Sequence, residues 1–166
     1  VIVILVLLLL VAVFFDFYLG KIPNILVVCG GVLALLIQFY LGGIAGIFRA
    51  GLGMLLPCLL LYVLFSIGAL GAGDIKLLAM IGAFLGTYRT ILCMIIAFVA
   101  GAVISLVKMC HNGNYVVRMQ CLAKYVQDAV RTGKWERYDS GEDMKNRIHF
   151  SLPILISIIV MWIAGM

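Results

Sequence analysis

The sequence predicts an all-helical, polytopic membrane protein with six transmembrane helices and a polar cytoplasmic segment between the fifth and sixth helices. Of its 166 residues, 66% are hydrophobic and 11% are charged, whereas soluble domains have about 45–50% apolar and about 25% charged residues. Thirteen of the 19 charged residues lie between Lys108 and Arg147, which leaves long apolar segments on either side. These features exclude a soluble globule and a disordered chain. We interpret residues 1–166 as a single membrane-embedded domain.

Six apolar segments approach the length of about 20 residues that a membrane-spanning helix needs. The predicted spans are residues 1–18, 24–41, 51–70, 74–88, 90–109 and 148–166. Glycine and proline interrupt helices, and they follow each of the first three spans: Gly20 and Pro23, then Gly42 and Gly43, then Gly71. The fourth span is short, and we place the turn after it at residues 87–89.

Two pairs of glycines have the small-x-x-x-small spacing that lets helices approach closely in a membrane. They are Gly42 with Gly46 and Gly82 with Gly86. We expect both pairs to lie at contacts between helices.

The polar segment, residues 110–147, contains one periodic stretch. Apolar side chains recur every three or four residues from Tyr115 to Val130, with charged side chains between them. This pattern predicts an amphipathic helix. It lies either on the membrane surface or, as an ordinary linker helix, against the end of the bundle.

The basic residues predict the orientation of the chain. Six spans place the loops at 19–24, 71–74 and 110–147 on one side, which carries ten Lys and Arg residues, while only Arg49 and Arg89 lie on the other. Cytoplasmic loops carry the excess of Lys and Arg, so the first side is predicted to be cytoplasmic. We attribute the net charge of +5 to these loops and expect no binding to nucleic acid.

Only two acidic residues, Asp16 and Asp74, lie outside the polar segment. Asp16 ends the first predicted span and Asp74 begins the fourth, so both fall at the same membrane face. Acidic residues in spanning segments are costly and mark functional sites by default, although either aspartate could instead have a capping or snorkelling role. Two neighbouring carboxylates share a proton. One can then take a proton from water while the other polarises a peptide carbonyl, which predicts aspartyl peptide hydrolysis.

Two glycines precede the second aspartate. Gly71 and Gly73 remove side chains just before Asp74, so their backbone could pair with an extended substrate strand. Glycine also permits unusual backbone angles, and a plain glycine-rich helix break is the alternative.

Three further residues are expected to shape the site. Pro23 and Asn24 are predicted to form the turn after the first span and to cap the second helix. Lys76 is predicted to snorkel to lipid phosphate, and contact with the substrate or with the aspartates is the alternative.

Both segments resemble motifs of one family. DFYLGKIPN, at residues 16–24, resembles the first-aspartate motif of the prepilin peptidases, the type IV leader peptidases, and GAGDIKLL, at 71–78, resembles their G-x-G-D motif with its following lysine. The resemblance implies that Asp16 and Asp74 are the catalytic pair of a membrane aspartyl endopeptidase. It also implies substrates: type IV prepilin-like precursors, including Flp/Tad-type ones, with a short basic leader and a hydrophobic helix. The cut would lie at the cytoplasmic face of a prokaryotic cell membrane, among membrane lipids.

Many members of that family carry a zinc-binding cysteine tetrad linked to N-methylation of the new pilin end. The five cysteines here show no C-x-x-C spacing, so the chain resembles the short, peptidase-only branch, and we expect no metal and no cofactor. A proton-coupled transporter or channel that uses the same two aspartates is the alternative function. A non-catalytic assembly scaffold is a third.

Overall fold

The computed structural model describes residues 1–111 and 150–165, whose regular elements are all helices. They are α1 (Ile2–Leu19), α2 (Asn24–Ser66), α3 (Ala72–Leu85), α4 (Thr87–His111) and α5 (Ser151–Ile163). The all-helical prediction is therefore confirmed for these residues. The predicted amphipathic helix between residues 115 and 130 lies outside the described residues.

Helix α2 reverses direction at Gly43. As a straight helix, its 43 residues would be about 65 Å long, twice the thickness of a membrane core. Gly43 instead has φ 56° and ψ −142°, a conformation that glycine adopts easily. A Cβ built on Gly31 would lie 3.3 Å from the Met54 methyl group, and one built on Gly46 would overlap the Gln38 carbonyl. In each pair, one residue precedes Gly43 and the other follows it by a similar number of positions. The two halves of α2 therefore form an antiparallel hairpin.

The two glycine-containing turns are tighter than the sequence predicted. We expected a loop from residue 42 to residue 50, but helix resumes directly after Gly43 because one residue with positive φ absorbs the reversal. The turn expected at residues 87–89 lies instead at Gly86 (φ 75°), and α4 already begins at Thr87. Both spans that follow these turns therefore begin earlier than predicted.

The surface of the described residues is that of a membrane protein. Three of the described helices are long and apolar enough to cross a membrane: Ile2–Leu19, Asn24–Ser66 and Thr87–Lys108. Large apolar side chains point outward from them, including Phe14, Leu36, Ile44, Leu59 and Val99. The predicted membrane character is thereby supported, whereas the number of six spans stays a prediction.

The helices pack as two groups, which α4 joins because it contacts α2 and α3 as well as α5. Both halves of α2 contact α3, at Gly30 with Met80 and at Gly53 with Gly82, and α2 with α3 is the most extensive contact in the described bundle. Helix α5 packs against α4 and α1, while contacts of α1 with α2 and of α5 with α3 are slight. Fully buried side chains from both groups form one core, among them Leu5, Leu9, Leu77, Met80, Cys93 and Ile154.

Candidate active site

The two aspartate-containing segments meet at one end of the bundle, which we call the aspartate end. There, α1 ends and α2, α3 and α5 begin. A Cβ built on Gly73 would lie 3.6 Å from the Ile22 side chain, in ordinary van der Waals contact. Further along both segments, the Lys76 ammonium donates a hydrogen bond of 3.0 Å to Asn24 Oδ1. The start of α3 therefore lies against the α1–α2 turn.

Asp16 lies in the last turn of α1 and is buried, with 8% of its surface exposed. Its backbone carbonyl accepts a 3.0 Å hydrogen bond from the Gly20 N–H. Gly20 ends the helix in the left-handed conformation (φ 64°), a common helix ending that glycine adopts at little energetic cost because it has no Cβ. The turn thus fixes the backbone of the aspartate from one side.

The carboxylate of Asp16 is bound by a serine from a distant part of the chain. Ser151, the first residue of α5, is fully buried, and its hydroxyl donates a 2.5 Å hydrogen bond to Asp16 Oδ2. Hydrogen bonds to a carboxylate are shorter and stronger than those between neutral groups. The carboxylate therefore lies at the start of α5 as well as in the last turn of α1.

Asp74 lies in the first turn of α3, three residues after the N-cap residue Gly71, and is half-buried. Its carboxylate folds back over Gly71, since a Cβ built on that glycine would lie 3.0 Å from Asp74 Oδ2. The absence of a side chain at Gly71 therefore makes room for the carboxylate. Gly71 itself has ordinary extended angles, φ −76° and ψ 146°, so space and not backbone conformation requires glycine here.

The structure corrects the capping role predicted for Asn24 and shows a hydrogen-bond partner for Lys76. Pro23, not Asn24, occupies the N-cap position of α2, and the Asn24 side chain accepts the hydrogen bond from Lys76 instead of capping the helix. Lys76 is exposed, as snorkelling would require, yet its ammonium group links the two aspartate-containing segments. Both residues therefore hold α3 against the α1–α2 turn.

Sequence reasoning missed Ser151. It stands in an apolar, proline-containing stretch, 135 positions from Asp16, and no spacing rule links the two. The available signal was a polar residue at the start of an apolar segment, at the end of the bundle where the aspartates were expected. The hydrogen bond shows that α5 contributes to the site together with α1, α2 and α3.

The two carboxylates are held by different groups of helices. Asp16 is tied through Ser151 to α5, which packs on α4, whereas Asp74 belongs to the α2–α3 pair. Within residues 1–111 and 150–165, no cluster of three or more His, Cys, Asp or Glu side chains could hold a metal ion.

A comparison with known protein families finds a match. The sequence profile of the type IV leader peptidase family matches residues 3–106. The matched region includes Asp16 and Asp74 and ends before Ser151. A comparison with curated proteins and one with solved structures found no match.

Proposed function

Because the chain belongs to the type IV leader peptidase family, we propose that it is an aspartic endopeptidase that removes the short basic leader from type IV prepilin-like precursors. Asp16 and Asp74 are its catalytic pair in this proposal. Membership of this family supports a membrane-embedded peptidase. The catalytic type, the class of precursor and the membrane face are the parts that we add.

One observation carries the proposal: the start of α3 lies against the α1–α2 turn. The Ile22–Gly73 contact and the Asn24–Lys76 hydrogen bond bring the segments that bear the two aspartates to one end of the bundle. Asp16 and Asp74 are the only acidic residues within the described ranges 1–111 and 150–165, so they are the carboxylates that this part of the chain offers to an acid–base mechanism.

The proposed reaction needs one ionised and one protonated aspartate. The ionised carboxylate takes a proton from water as the water oxygen attacks the scissile carbonyl, and the protonated one gives its proton to the carbonyl oxygen. A tetrahedral diol results. When the C–N bond breaks, the first aspartate returns its proton to the leaving amine, and a diol hydroxyl returns a proton to the second. Both aspartates thus end in their starting states, and no acyl-enzyme forms.

The scissile peptide must be extended, since a helix encloses its own amide groups in hydrogen bonds. The glycines before Asp74 suit such a strand because their backbone carries no side chains. Gly73 is half-buried against Ile22, whereas Gly71 is exposed. We therefore propose that the strand approaches the Asp74 carboxylate from the side of Gly71.

Charge supports a cytoplasmic position for the aspartate end. Lys21 and Lys76 lie there, while Arg49 and Arg89 line an open cavity of about 560 Å³ at the opposite end of the bundle. The polar segment, with its seven basic residues, precedes α5, which begins at the aspartate end. Basic residues accumulate on the cytoplasmic side of membrane proteins, and a prepilin leader is presented from that side.

The direct test is cleavage of a precursor by the purified protein. We expect a prepilin with a basic leader to be cut once, at the junction between leader and hydrophobic helix, and mass spectrometry of both products locates the cut. A peptide spanning that junction should be cut when added outside inside-out membrane vesicles and not outside right-side-out ones. Cleavage by right-side-out vesicles alone would contradict the orientation, and an intact precursor in every arm would contradict the function.

The transporter alternative fits the positions of the aspartates less well. Transporters bind substrates and coupling ions near the middle of the bilayer, whereas Asp16 lies in the last turn of α1 and Asp74 in the first turn of α3. Proton flux in proteoliposomes, lost in Asp74→Asn and unaccompanied by proteolysis, would favour the transporter.

Gly71→Ala is expected to slow leader cleavage by about tenfold, because small displacements of a reacting group are costly. The new methyl group would lie 3.0 Å from Asp74 Oδ2, so the carboxylate must move by a few tenths of an ångström. Gly51→Ala is the matched control, since a Cβ there meets no atom within 4 Å. A wild-type rate in Gly71→Ala, measured with the same precursor, would show that the position of this carboxylate does not depend on Gly71.

A further inference from the structure

We propose that Ser151 is a positioning residue for the catalytic pair, holding the Asp16 carboxylate from the start of α5. The inference rests on the proposed function and deepens it, because it assigns a role to a helix outside the region that matches the family. It begins from the 2.5 Å hydrogen bond between the Ser151 hydroxyl and Asp16 Oδ2.

Both partners of this hydrogen bond are removed from solvent. Ser151 is fully buried and Asp16 is 8% exposed, so little water can replace the hydroxyl if it is deleted. A buried polar group that loses a hydrogen bond loses part of the compensation for its desolvation. The hydroxyl therefore matters more for the orientation of this carboxylate than an exposed serine would.

Ser151 is held rigidly by its neighbours. Phe150 packs against Phe98 of α4, with ring centroids 5.3 Å apart. Pro153 is fully buried, and a Cβ built on Gly101 of α4 would lie 3.1 Å from the Phe150 ring and 3.6 Å from Pro153. Residues on both sides of the serine are thus packed on α4, and the hydroxyl is a fixed donor.

This arrangement gives α5 a specific task. Contacts of α1 with α2 are slight, so α1 and the aspartate at its end take their position mainly from α5. The hydrogen bond from Ser151 transmits that position to the carboxylate itself. The Asp16 carboxylate is thereby oriented relative to the α2–α3 pair that carries Asp74.

Helix α5 contains a second buried serine that does not touch an aspartate. The Ser157 hydroxyl donates to the Ile154 carbonyl at 2.7 Å and lies 3.1 Å from Cys93 Sγ. Like Ser151, it is fully buried, so Ser157→Ala deletes an equivalent hydroxyl from the same helix. It is therefore a matched control for loss of packing or stability.

The test compares Ser151→Ala with Ser157→Ala in full-length protein. In Ser151→Ala, loss of this buried hydrogen bond to a carboxyl group is expected to lower kcat for leader cleavage by about ten- to a hundredfold. The KM should stay within about twofold, as expected when binding is intact. Ser157→Ala should keep the wild-type kcat. A wild-type kcat in Ser151→Ala, or an equal fall in both variants, would overturn the proposal.

A second readout needs no substrate. The infrared carboxyl bands of Asp16 are obtained from the difference between wild-type and Asp16→Asn spectra. We expect these bands to shift in Ser151→Ala and to stay unchanged in Ser157→Ala, and unshifted bands in Ser151→Ala would overturn the proposal. If Asp16→Asn and Asp74→Asn both cut the precursor, the proposed function fails, whereas the infrared shift still reports on the serine.

Discussion

Asp16→Asn and Asp74→Asn are each expected to lower the rate of leader cleavage by about a thousandfold or more, the scale seen when one member of a catalytic set is removed. Asparagine has almost the shape of aspartate but can neither take a proton from water nor give one to the scissile carbonyl. Because both steps belong to one reaction, the double variant should be no slower than the slower single variant. The measurement is product formed per unit time from a purified prepilin, followed by mass spectrometry.

The fold should survive both substitutions. In Asp16→Asn, the amide oxygen can still accept the hydrogen bond from Ser151, and Asp74 is only half-buried. Thermal unfolding in detergent should therefore give similar midpoints for the variants and the wild type. Asp139→Asn, the same chemical change in the polar segment, is the control that should keep its activity. Wild-type cleavage by either Asp16→Asn or Asp74→Asn would exclude the aspartyl mechanism.

The sequence was sufficient for features that depend on local chemistry. Gly42 and Gly43 indicated where α2 is interrupted, and Gly43 is the residue with positive φ. Parity of the predicted spans indicated that Asp16 and Asp74 share one end, and the contact between Ile22 and Gly73 agrees with it. The first inference needed only helix-breaking glycines, and the second needed only the alternating direction of successive spans.

Features that depend on tertiary contacts could not be predicted. The hydrogen bond between Asn24 and Lys76 joins residues 52 positions apart, and the bond between Ser151 and Asp16 joins residues 135 apart. Asparagine and serine side chains can cap a helix or bind a distant partner, and a lysine side chain can snorkel or bind one. Only tertiary packing decides which of these occurs. The resumption of helix directly after Gly43 was missed for a related reason, since the sequence does not specify how few residues a turn uses.

The second large effect, a loss of stability, is expected where α2 approaches α3, the helix that carries Asp74, most closely. Gly53 of α2 and Gly82 of α3 face each other, and a Cβ on either would overlap the carbonyl group of the other. A Cβ on Gly53 would also lie 3.1 Å from the Gly86 Cα. The predicted close packing at Gly82 and Gly86 is thus confirmed. The other predicted pair is confirmed at Gly46, where a Cβ would overlap the Gln38 carbonyl, and is wrong at Gly42, where the nearest atom to an added Cβ is a terminal nitrogen of Arg49, 3.7 Å away.

Gly53→Ala and Gly82→Ala are expected to destabilise the protein by about 1–3 kcal/mol each, the range for overpacking of a well-filled contact. The added methyl group meets backbone, which cannot rotate away as a side chain can, so α2 and α3 must separate. Gly51→Ala, two residues from Gly53 with open space around its Cβ, should be neutral or stabilise by about 0.5–1 kcal/mol, because alanine favours helix over glycine. Thermal unfolding of the three variants in detergent measures the difference.

Since α3 carries Asp74, separation of the helices should also slow leader cleavage in Gly53→Ala and Gly82→Ala. Equal stability of Gly51→Ala and Gly53→Ala would contradict the close contact.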